Sequence, residues 1–561
     1  LLSAEGPGAA LASDPASGLS LAFDGRIDDR EGLRRDLAQA GDDGSAAPDA
    51  ELALRILRRF GPEGGAARIT GEFAFVLSDP RTGTQSAGRD VLGIRPLLLH
   101  ERAGRAFFAT RTAALVAAAG IPVEPDEAVA AEVLAGGPYH PSAGLVRGVR
   151  HVVAGTILTV GSGVVRETRF RSVDPAGAPA DVDAFRAALR EAVRCRLPGS
   201  GPVALNLSGG IDSAAVAAFA AAEGAEVRAF TVGFPGLPCD EEEAARETAA
   251  ALGIRHEVIP WTPAGPARIE EECARTLDLP DLPPSMGFDG VAARIRAEGI
   301  PVVLDGEGGD GCFDESIFLA ADLLGEGEFS AAWREAGRWS DGVAGRARIL
   351  RDGGLRPLLP ARLRAALRGL RGSAPVPPWI DRDLAQRTGL AERIREEAPA
   401  AGPGGFARGH VASFLGSGWS VRARGTLDLW GVRTGAEPRH PFLDLRVLET
   451  ALALPPELRG HGDLPRAALR QSLEGLLPDA VRLRRGKADF TPVILHVLGA
   501  VGWHPEPPPT TRLAAAGWLD PAGLASMPAS VPGLWSCFAL ESWLRACVPE
   551  SGNVAGVRVR T

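Results

Sequence analysis

Lysine is all but missing from this chain. Of its 61 basic residues, 60 are arginine, and Lys487 is the single lysine. The excess of alanine, glycine and arginine points to a high-GC genome that turns lysine codons into arginine. A lysine retained against that pressure marks a place where a compact ammonium does what a guanidinium cannot; the plain alternative is a chance survivor on a solvated face. Cysteine is sparse and scattered. Cys195, Cys239, Cys273, Cys312, Cys537 and Cys547 contain no CxxC pair, which excludes a disulfide framework and suits reduced thiols in a cytoplasm. The nine histidines show neither HxxxH spacing nor cysteine neighbours, so a zinc site is not expected. No apolar run approaches the roughly eighteen residues that cross a bilayer. The opening Leu1-Leu2-Ser3-Ala4-Glu5 lacks a basic segment ahead of an apolar core, so no signal peptide is expected. It also lacks a methionine, as it would if a few residues preceded it. A formal charge of −9 with no basic block argues against a dedicated nucleic-acid binder.

What is present begins with length. A chain of 561 residues exceeds one hydrophobic core, so two or three domains are expected. Up to about residue 165, short apolar runs alternate with turns. Strands are expected at Leu21-Ala22-Phe23, at 72–77 and at 106–109, and helices near 30–38 and 51–60. A Pro-, Ala- and Asp-rich stretch at 172–183 reads as a linker, followed by an amphipathic helix at 184–196. Strands are then expected at 203–207, 227–233, 256–259 and 300–304, with a helix from the acidic 240–243 to Leu252. Strands alternating with helices imply a parallel sheet covered on both faces, with ligands beyond the carboxyl ends of its strands. Beyond Phe313 the pattern is helical and arginine-rich, with breaks at 372–378 and 506–509 and a last helix at about 534–546.

The stretch that organises the chain is Val203-Ala204-Leu205-Asn206-Leu207-Ser208-Gly209-Gly210-Ile211-Asp212-Ser213, running into an apolar helix. A buried strand, a tight turn and a helix start make an anion cradle. Gly209 and Gly210 admit close backbone approach, Ser208 and Ser213 supply hydroxyls, and the helix presents unpaired N–H groups. Asp212 fits a phosphate loop only if a cation such as Mg²⁺ joins it to a polyphosphate. The loop is not the GxxxxGK[ST] type. An ordinary Gly-Gly turn is the alternative.

Two further segments carry chemistry. Asp305-Gly306-Glu307-Gly308-Gly309-Asp310 closes a strand with three carboxylates in one Gly-rich turn. Asp310 is a candidate second Mg²⁺ ligand beside Asp212, and Glu307 a candidate acceptor for the proton of an attacking amine. A solvated acidic turn is the alternative. The basic turn Val481-Arg482-Leu483-Arg484-Arg485-Gly486-Lys487-Ala488-Asp489-Phe490 bears the lone lysine, whose ammonium can contact pyrophosphate and later an oxyanion. Arg482, Arg484 or Arg485 can balance polyphosphate charge.

These motifs together resemble the asparagine synthetase-like family. Ser208-Gly209-Gly210-Ile211-Asp212-Ser213 resembles its pyrophosphate loop, with Leu207 ahead of it, and Thr231-Val232-Gly233 a segment whose backbone meets adenine. Gly306-Glu307-Gly308-Gly309-Asp310, preceded by Asp305, resembles G-E-G-A-D, and Arg439-His440-Pro441-Phe442-Leu443-Asp444 resembles R-V-P-F-L-D. Lys487 falls where the family has a catalytic lysine. In the first half, Phe23-Asp24-Gly25-Arg26-Ile27 sits where N-G-E-I is expected, and Arg89-Asp90-Val91-Leu92-Gly93-Ile94-Arg95-Pro96-Leu97 is similar to R-D-R-L-G-I-K-P-L. The resemblance implies an α/β protein in two units. Residues 1–170 would form an N-terminal Ntn-hydrolase-like (class II glutaminase-like) α+β sandwich, and 171–183 a linker. Residues 184–561 would form an ATP-pyrophosphatase (PP-loop, adenine nucleotide alpha hydrolase-like) doubly wound parallel sheet with a helical lobe.

The departures from that pattern direct the functional expectation. Such a glutaminase uses an N-terminal cysteine, whereas the first cysteine here is Cys195, and Asp24 stands where Asn is expected. Unless a leading cysteine precedes this sequence, the amine must come from elsewhere, most simply from the substrate. β-Lactam synthetases carry Tyr where this chain has Glu307, and Gly486-Lys487-Ala488-Asp489-Phe490-Thr491 looks more like lasso peptide cyclases. The expectation is thus an ATP- and Mg²⁺-dependent ligase that adenylates an Asp or Glu side chain of a precursor peptide and closes a macrolactam with its N-terminal amine. A leader peptidase and a leader-recognition protein would be its partners. A small-molecule lactam or amide synthetase is the alternative, and a non-catalytic scaffold a lesser one.

Overall fold

The computed structural model describes residues 9–548 apart from 43–45, 138–139, 162–163, 175–176, 264, 281–287, 314–315, 361, 365, 367–375, 395–403, 461–463, 487, 504–510 and 525–530. The break at 506–509, most of that at 372–378, and Lys487 therefore lie outside the described residues.

In the first half, β1 (Ala9–Asp14), β2 (Leu19–Ile27), β3 (Gly71–Asp79), β4 (Thr84–Arg89), β8 (Thr156–Gly161) and β9 (Val164–Arg169) pair antiparallel in the order β1-β2-β3-β4-β8-β9. A second sheet, β6-β5-β7, joins β5 (Leu98–Arg102), β6 (Arg105–Ala109) and β7 (Arg150–His151). The period-2 alternation of β3 explains the layering. Phe73 and Phe75 face the helices Arg30–Gln39 and Asp49–Arg68, where Leu33, Leu37, Leu52 and Ile56 are buried. Ala74, on the opposite face, leaves room for Leu97 and Leu99 beside the second sheet. The expected helix at 51–60 continues to Arg68 past a non-helical Gly61 that precedes Pro62.

The second half is built on a parallel sheet, β12-β11-β10-β13-β14, comprising β10 (Val203–Asn206), β11 (Val227–Gly233), β12 (Arg255–Pro260), β13 (Val302–Leu304) and β14 (Glu437–Arg439). Alternate residues face opposite layers. Val203, Leu205, Val227 and Ala229 pack with Leu189, Val216 and Leu448, whereas Ala204, Phe230 and Val303 pack with Val291 and Ile295. β14 was not expected: the residues just ahead of the R-H-P-F-L-D segment, ending at its Arg439, give the helical lobe a strand of its own, paired Val302 to Glu437 and Leu304 to Arg439. The strand expected at 300–304 shortens to Val302–Leu304 because Pro301 has no N–H to donate to a ladder. The helix expected at 184–196 begins at Val182, capped by Asp181 on the Ala184 N–H at 2.8 Å. The last helix runs Val531–Cys547, and among the described residues no helix is long and apolar enough to cross a membrane.

The two halves meet through buried charge. Arg196, 1% exposed, places Nη2 2.9 Å from Asp28 of the first half and Nη1 2.7 Å from Asp444 of the second. Arg95 reaches Asp428 at 2.9 Å, and Arg26 approaches Glu437 at 3.5 Å. Asp24 joins this cluster 3.9 Å from Arg95; burial, the largest influence, pushes its carboxyl up, against the pull of Arg95. Removing one member of such a cluster leaves uncompensated buried charge. Replacing Arg196 by Met is expected to lower unfolding free energy by about 3–5 kcal/mol in urea titrations followed by fluorescence. A loss below about 0.5 kcal/mol would show the cluster to be energetically idle.

Candidate active site

The sheet reverses its winding beside β10, because the chain runs β10 to β11 to β12 and then returns to β13 on the other side. Turns leaving the carboxyl ends of β10 and β13 must therefore stand side by side, and a crevice opens there. Turn 208–213 follows β10 and turn 305–310 follows β13. The first is held by its own hydroxyls. Ser208 N–H donates to Ser213 Oγ at 3.0 Å and Gly210 N–H to Ser208 Oγ at 3.1 Å. The hydroxyls expected at the phosphate cradle thus also brace the loop. Helix Ile211–Ala222 has Gly210 at its N-cap and no side-chain cap, which leaves first-turn amides at the crevice wall. Gly209 is not part of the wall; its N–H donates to Glu241 Oε2 at 3.2 Å.

The second turn is pressed against the first. A Cβ at Gly306 would lie 2.7 Å from Ser213 N and 3.0 Å from Asp212 C, both backbone atoms, so only glycine fits. Gly308 has φ +92° and lies against Leu443 of the R-H-P-F-L-D segment. Asp305 Oδ1 accepts the Glu307 N–H at 3.0 Å, and His440 Nδ1 stands 2.9 Å from both Asp305 oxygens. Asp310 lies in the short helix Gly309–Phe313. Arg466 Nη1 contacts Asp212 and its Nη2 contacts Asp310, so the two carboxylates converge on one cationic group. Burial works to lower the Arg466 pKa, but Asp212 and Asp310 together raise it above the ordinary value. Its backbone is left-handed, φ +59°, at the start of helix Ala467–Ser472.

One cavity of about 1070 Å³ unites these parts. Leu207, Ser208, Gly210, Asp212, Ser213, Val232, Asp305, Gly306, Glu307 and Asp310 all line it, as do Arg485, Gly486 and Ala488 on either side of Lys487. Glu241 ties this third segment in place, accepting from the backbone of both Gly209 and Ala488; burial pushes its carboxyl up against those bonds. Arg484 adds contacts to Ala244 O and Glu247. The far end is apolar, with Phe230, Phe234, Phe288, Trp430 and Ile494. A polar end rich in amides and carboxylates joined to an aromatic end suits a molecule with a charged tail and a flat head.

Arg466, Glu241 and His440 were not singled out from sequence. Arg466 is one of 60 arginines and carries no pattern of its own, whereas His440 was visible as a polar residue where the resembled motif has valine. Glu241 sits in the acidic run 240–243, read only as a helix start.

Fold and site together define an amide-forming ligase that uses ATP, built from an antiparallel sandwich and a parallel-sheet nucleotide domain. The asparagine synthase family profile matches residues 184–545, and a glutamine amidotransferase domain profile matches residues 9–171. The chain belongs to the asparagine synthase family, whose members are ATP-dependent amide ligases that generally use Mg²⁺. It is 27% identical over 510 residues to a putative glutamine-hydrolysing asparagine synthetase of Mycobacterium tuberculosis, covering 86% of this chain and 76% of that one. It is 24% identical over 492 residues to asparagine synthetase 3 of Bacillus subtilis, covering 83% and 74%. Amidase chyE of Penicillium rubens is 30% identical over 309 residues, 50% of this chain and 45% of that one. A Bacillus subtilis glutamine phosphoribosylpyrophosphate amidotransferase structure reaches a TM-score of 0.21 at 14% identity over 54% of this chain and 59% of that one, too slight a likeness to argue from.

The contact at Gly306 gives a direct test. Gly306→Ala forces two backbone segments apart, which is expected to cost about 1–3 kcal/mol of stability and to weaken Mg–ATP binding at least about tenfold. Differential scanning fluorimetry and calorimetric titration measure both; unchanged values would contradict the contact.

Proposed function

We propose that this chain is an amide synthetase that activates a substrate carboxylate with ATP and delivers it to an amine. A small amino-acid-like substrate, as in an asparagine synthase or a β-lactam synthetase, is the reading we favour. The observation that carries the ATP-dependent activity is the convergence of Asp212 and Asp310 on one cationic group at the junction of two turns, and the similarity to asparagine synthetases supports the small substrate. Hard carboxylate oxygens brought to one point fit Mg²⁺, and Arg466 stands where its positive charge would be needed. When bound, Mg²⁺ would shield pyrophosphate charge and ATP would supply the adenylyl group.

The chain's own residues then divide the work. First-turn amides at 211–213 hold phosphate, Leu207 and Ser208 line the wall beside them, and Val232 and the aromatic end hold the base. Arg466, displaced from the carboxylates, remains near enough to pair with a phosphate oxygen. Glu307, on the cavity wall, takes the proton from the attacking amine as the C–N bond forms. Lys487 steadies the leaving pyrophosphate and then the oxyanion. Holding acyl group and amine in one cavity supplies the effective concentration that amide formation needs.

A second reading is the macrolactam closure of a precursor peptide, with a leader peptidase and a leader-recognition protein as partners. It is favoured by the far end of helix Phe329–Trp339, where the exposed Trp339 adjoins Arg338 of the cavity wall. A peptide longer than a single residue has something to lie on.

Mass spectrometry and AMP release separate these readings. AMP formed with a small amino acid and an amine supports the first; loss of one water from a core peptide supports the second. No AMP with either substrate class overturns both and leaves a binding scaffold. Under either enzymatic reading Lys487→Arg is expected to lower kcat about 10²–10³-fold, as loss of an oxyanion donor does. A fully active Lys487→Arg variant would remove the role assigned to the ammonium.

A further inference from the structure

His440 is a buried polar residue at a position where the resembled motif R-V-P-F-L-D has valine. It is 1% exposed. A polar ring so placed costs free energy unless it is paired. The pairing here is specific: Nδ1 lies 2.9 Å from Oδ1 and 2.9 Å from Oδ2 of Asp305. A carboxylate only accepts, so Nδ1 carries the proton. The sheet register explains the meeting. Leu304 pairs with Arg439 across β13 and β14, so the next residue of each strand, Asp305 and His440, emerges at the same rim.

Asp305 is also the residue that shapes its own turn, since its Oδ1 accepts the Glu307 N–H at 3.0 Å. That turn leads directly to Asp310, and at Gly306 it touches the backbone of Asp212 and Ser213. A force applied at Asp305 therefore acts on Glu307 and on the spacing of the two turns. We propose that His440 is a positioning residue of the ligase, clamping Asp305 so that Glu307 and Asp310 are held at working distance from the phosphate loop. The role is this chain's own, because a valine in the same place offers no hydrogen bond.

The charged groups that face His440 are Asp305 and Glu307 from the turn after β13 and Glu72 from β3. Burial works to lower its pKa, and is the largest single influence, but the charge and hydrogen bond of Asp305, with Glu72 and Glu307, raise it above the ordinary value. Glu72 itself is held by Arg26 and approached by Arg196, and Arg439 is turned to Glu437 and Arg196 O. A raised histidine pKa means that the clamp is fully charged below the unfolded value of about 6.5 and, as pH rises through the higher folded value, falls back to a neutral Nδ1–H hydrogen bond to Asp305. Its weakening is therefore an alkaline event.

The clamp acts on the proposed nucleotide reading, so its test has one arm that needs no nucleotide. In wild-type protein carrying ¹³C-labelled histidine, with the resonance assigned by its absence in His440→Asn, NMR titration is expected to give His440 a midpoint above about 6.5, lowered by about one pH unit or more in Asp305→Asn. In the second arm, affinity for the Mg²⁺ complex of the ATP analogue AMPCPP is measured from about pH 6 to about pH 9. Wild type is expected to weaken about tenfold or more toward the alkaline end. His440→Val is expected to bind about tenfold more weakly at the acid end and to show no pH dependence, and His440→Asn, which keeps an N–H donor, to recover part of the affinity without the pH dependence. A His440 midpoint at or below about 6.5, or a His440→Val variant that keeps the wild-type alkaline loss, overturns the proposal. Wild type that binds no nucleotide at any pH overturns the functional reading instead, and the NMR midpoint still decides whether the clamp exists.

Discussion

Two ionised carboxylates from different turns stay charged side by side only with positive charge between them. Asp212 and Asp310 meet that condition through Arg466, and everything else about the site follows from keeping them there. The reversal of strand order puts their turns side by side. Gly306 lets the turns touch at the backbone, and Arg466 takes a left-handed conformation that side chains rarely adopt. In the proposed ligase another cation would replace the charge that satisfies the pair here when a polyphosphate enters, and the guanidinium would then pair with phosphate.

The junction between the halves is likewise charged, through Arg196, Arg26 and Arg95 with Asp28, Asp444, Glu437 and Asp428. Buried ion clusters fix geometry better than they stabilise, because desolvation offsets most of their attraction. Here they join β2 and β3 of the sandwich to β14, the strand that leads into His440. Glu72, in that cluster, is one of the acids facing His440. The N-terminal half is thus in contact with the strand beside the turn after β13, whatever supplies the amine.

Much of the layout was legible in the sequence because its signals are local. An apolar strand running into Ser-Gly-Gly-x-Asp-Ser, and a second into Gly-Glu-Gly-Gly-Asp, announce strand–turn–helix units without reference to anything distant. The parallel order of β10 to β13 followed from strands alternating with helices. What escaped was decided by contacts far apart in the chain. β14 is three residues inside a helical region, and its strand character comes only from pairing with β13. Arg466 reaches acids more than 150 positions away and looks like any other arginine in a chain that has 60 of them. Ser208 and Ser213 also brace the turn from within, a role that their residue type alone does not reveal. His440 was in plain view, yet its partner becomes apparent only when two strands end at one rim.

The most direct measurement is a crystal structure of the protein with Mn²⁺ and a non-hydrolysable ATP analogue, collected at the manganese absorption edge. The account predicts an anomalous peak within coordination distance, about 2.0–2.3 Å, of a carboxylate oxygen from both Asp212 and Asp310, with Arg466 moved onto a phosphate oxygen. A metal bound elsewhere, or Arg466 still lodged between the two carboxylates with nucleotide in place, would contradict it.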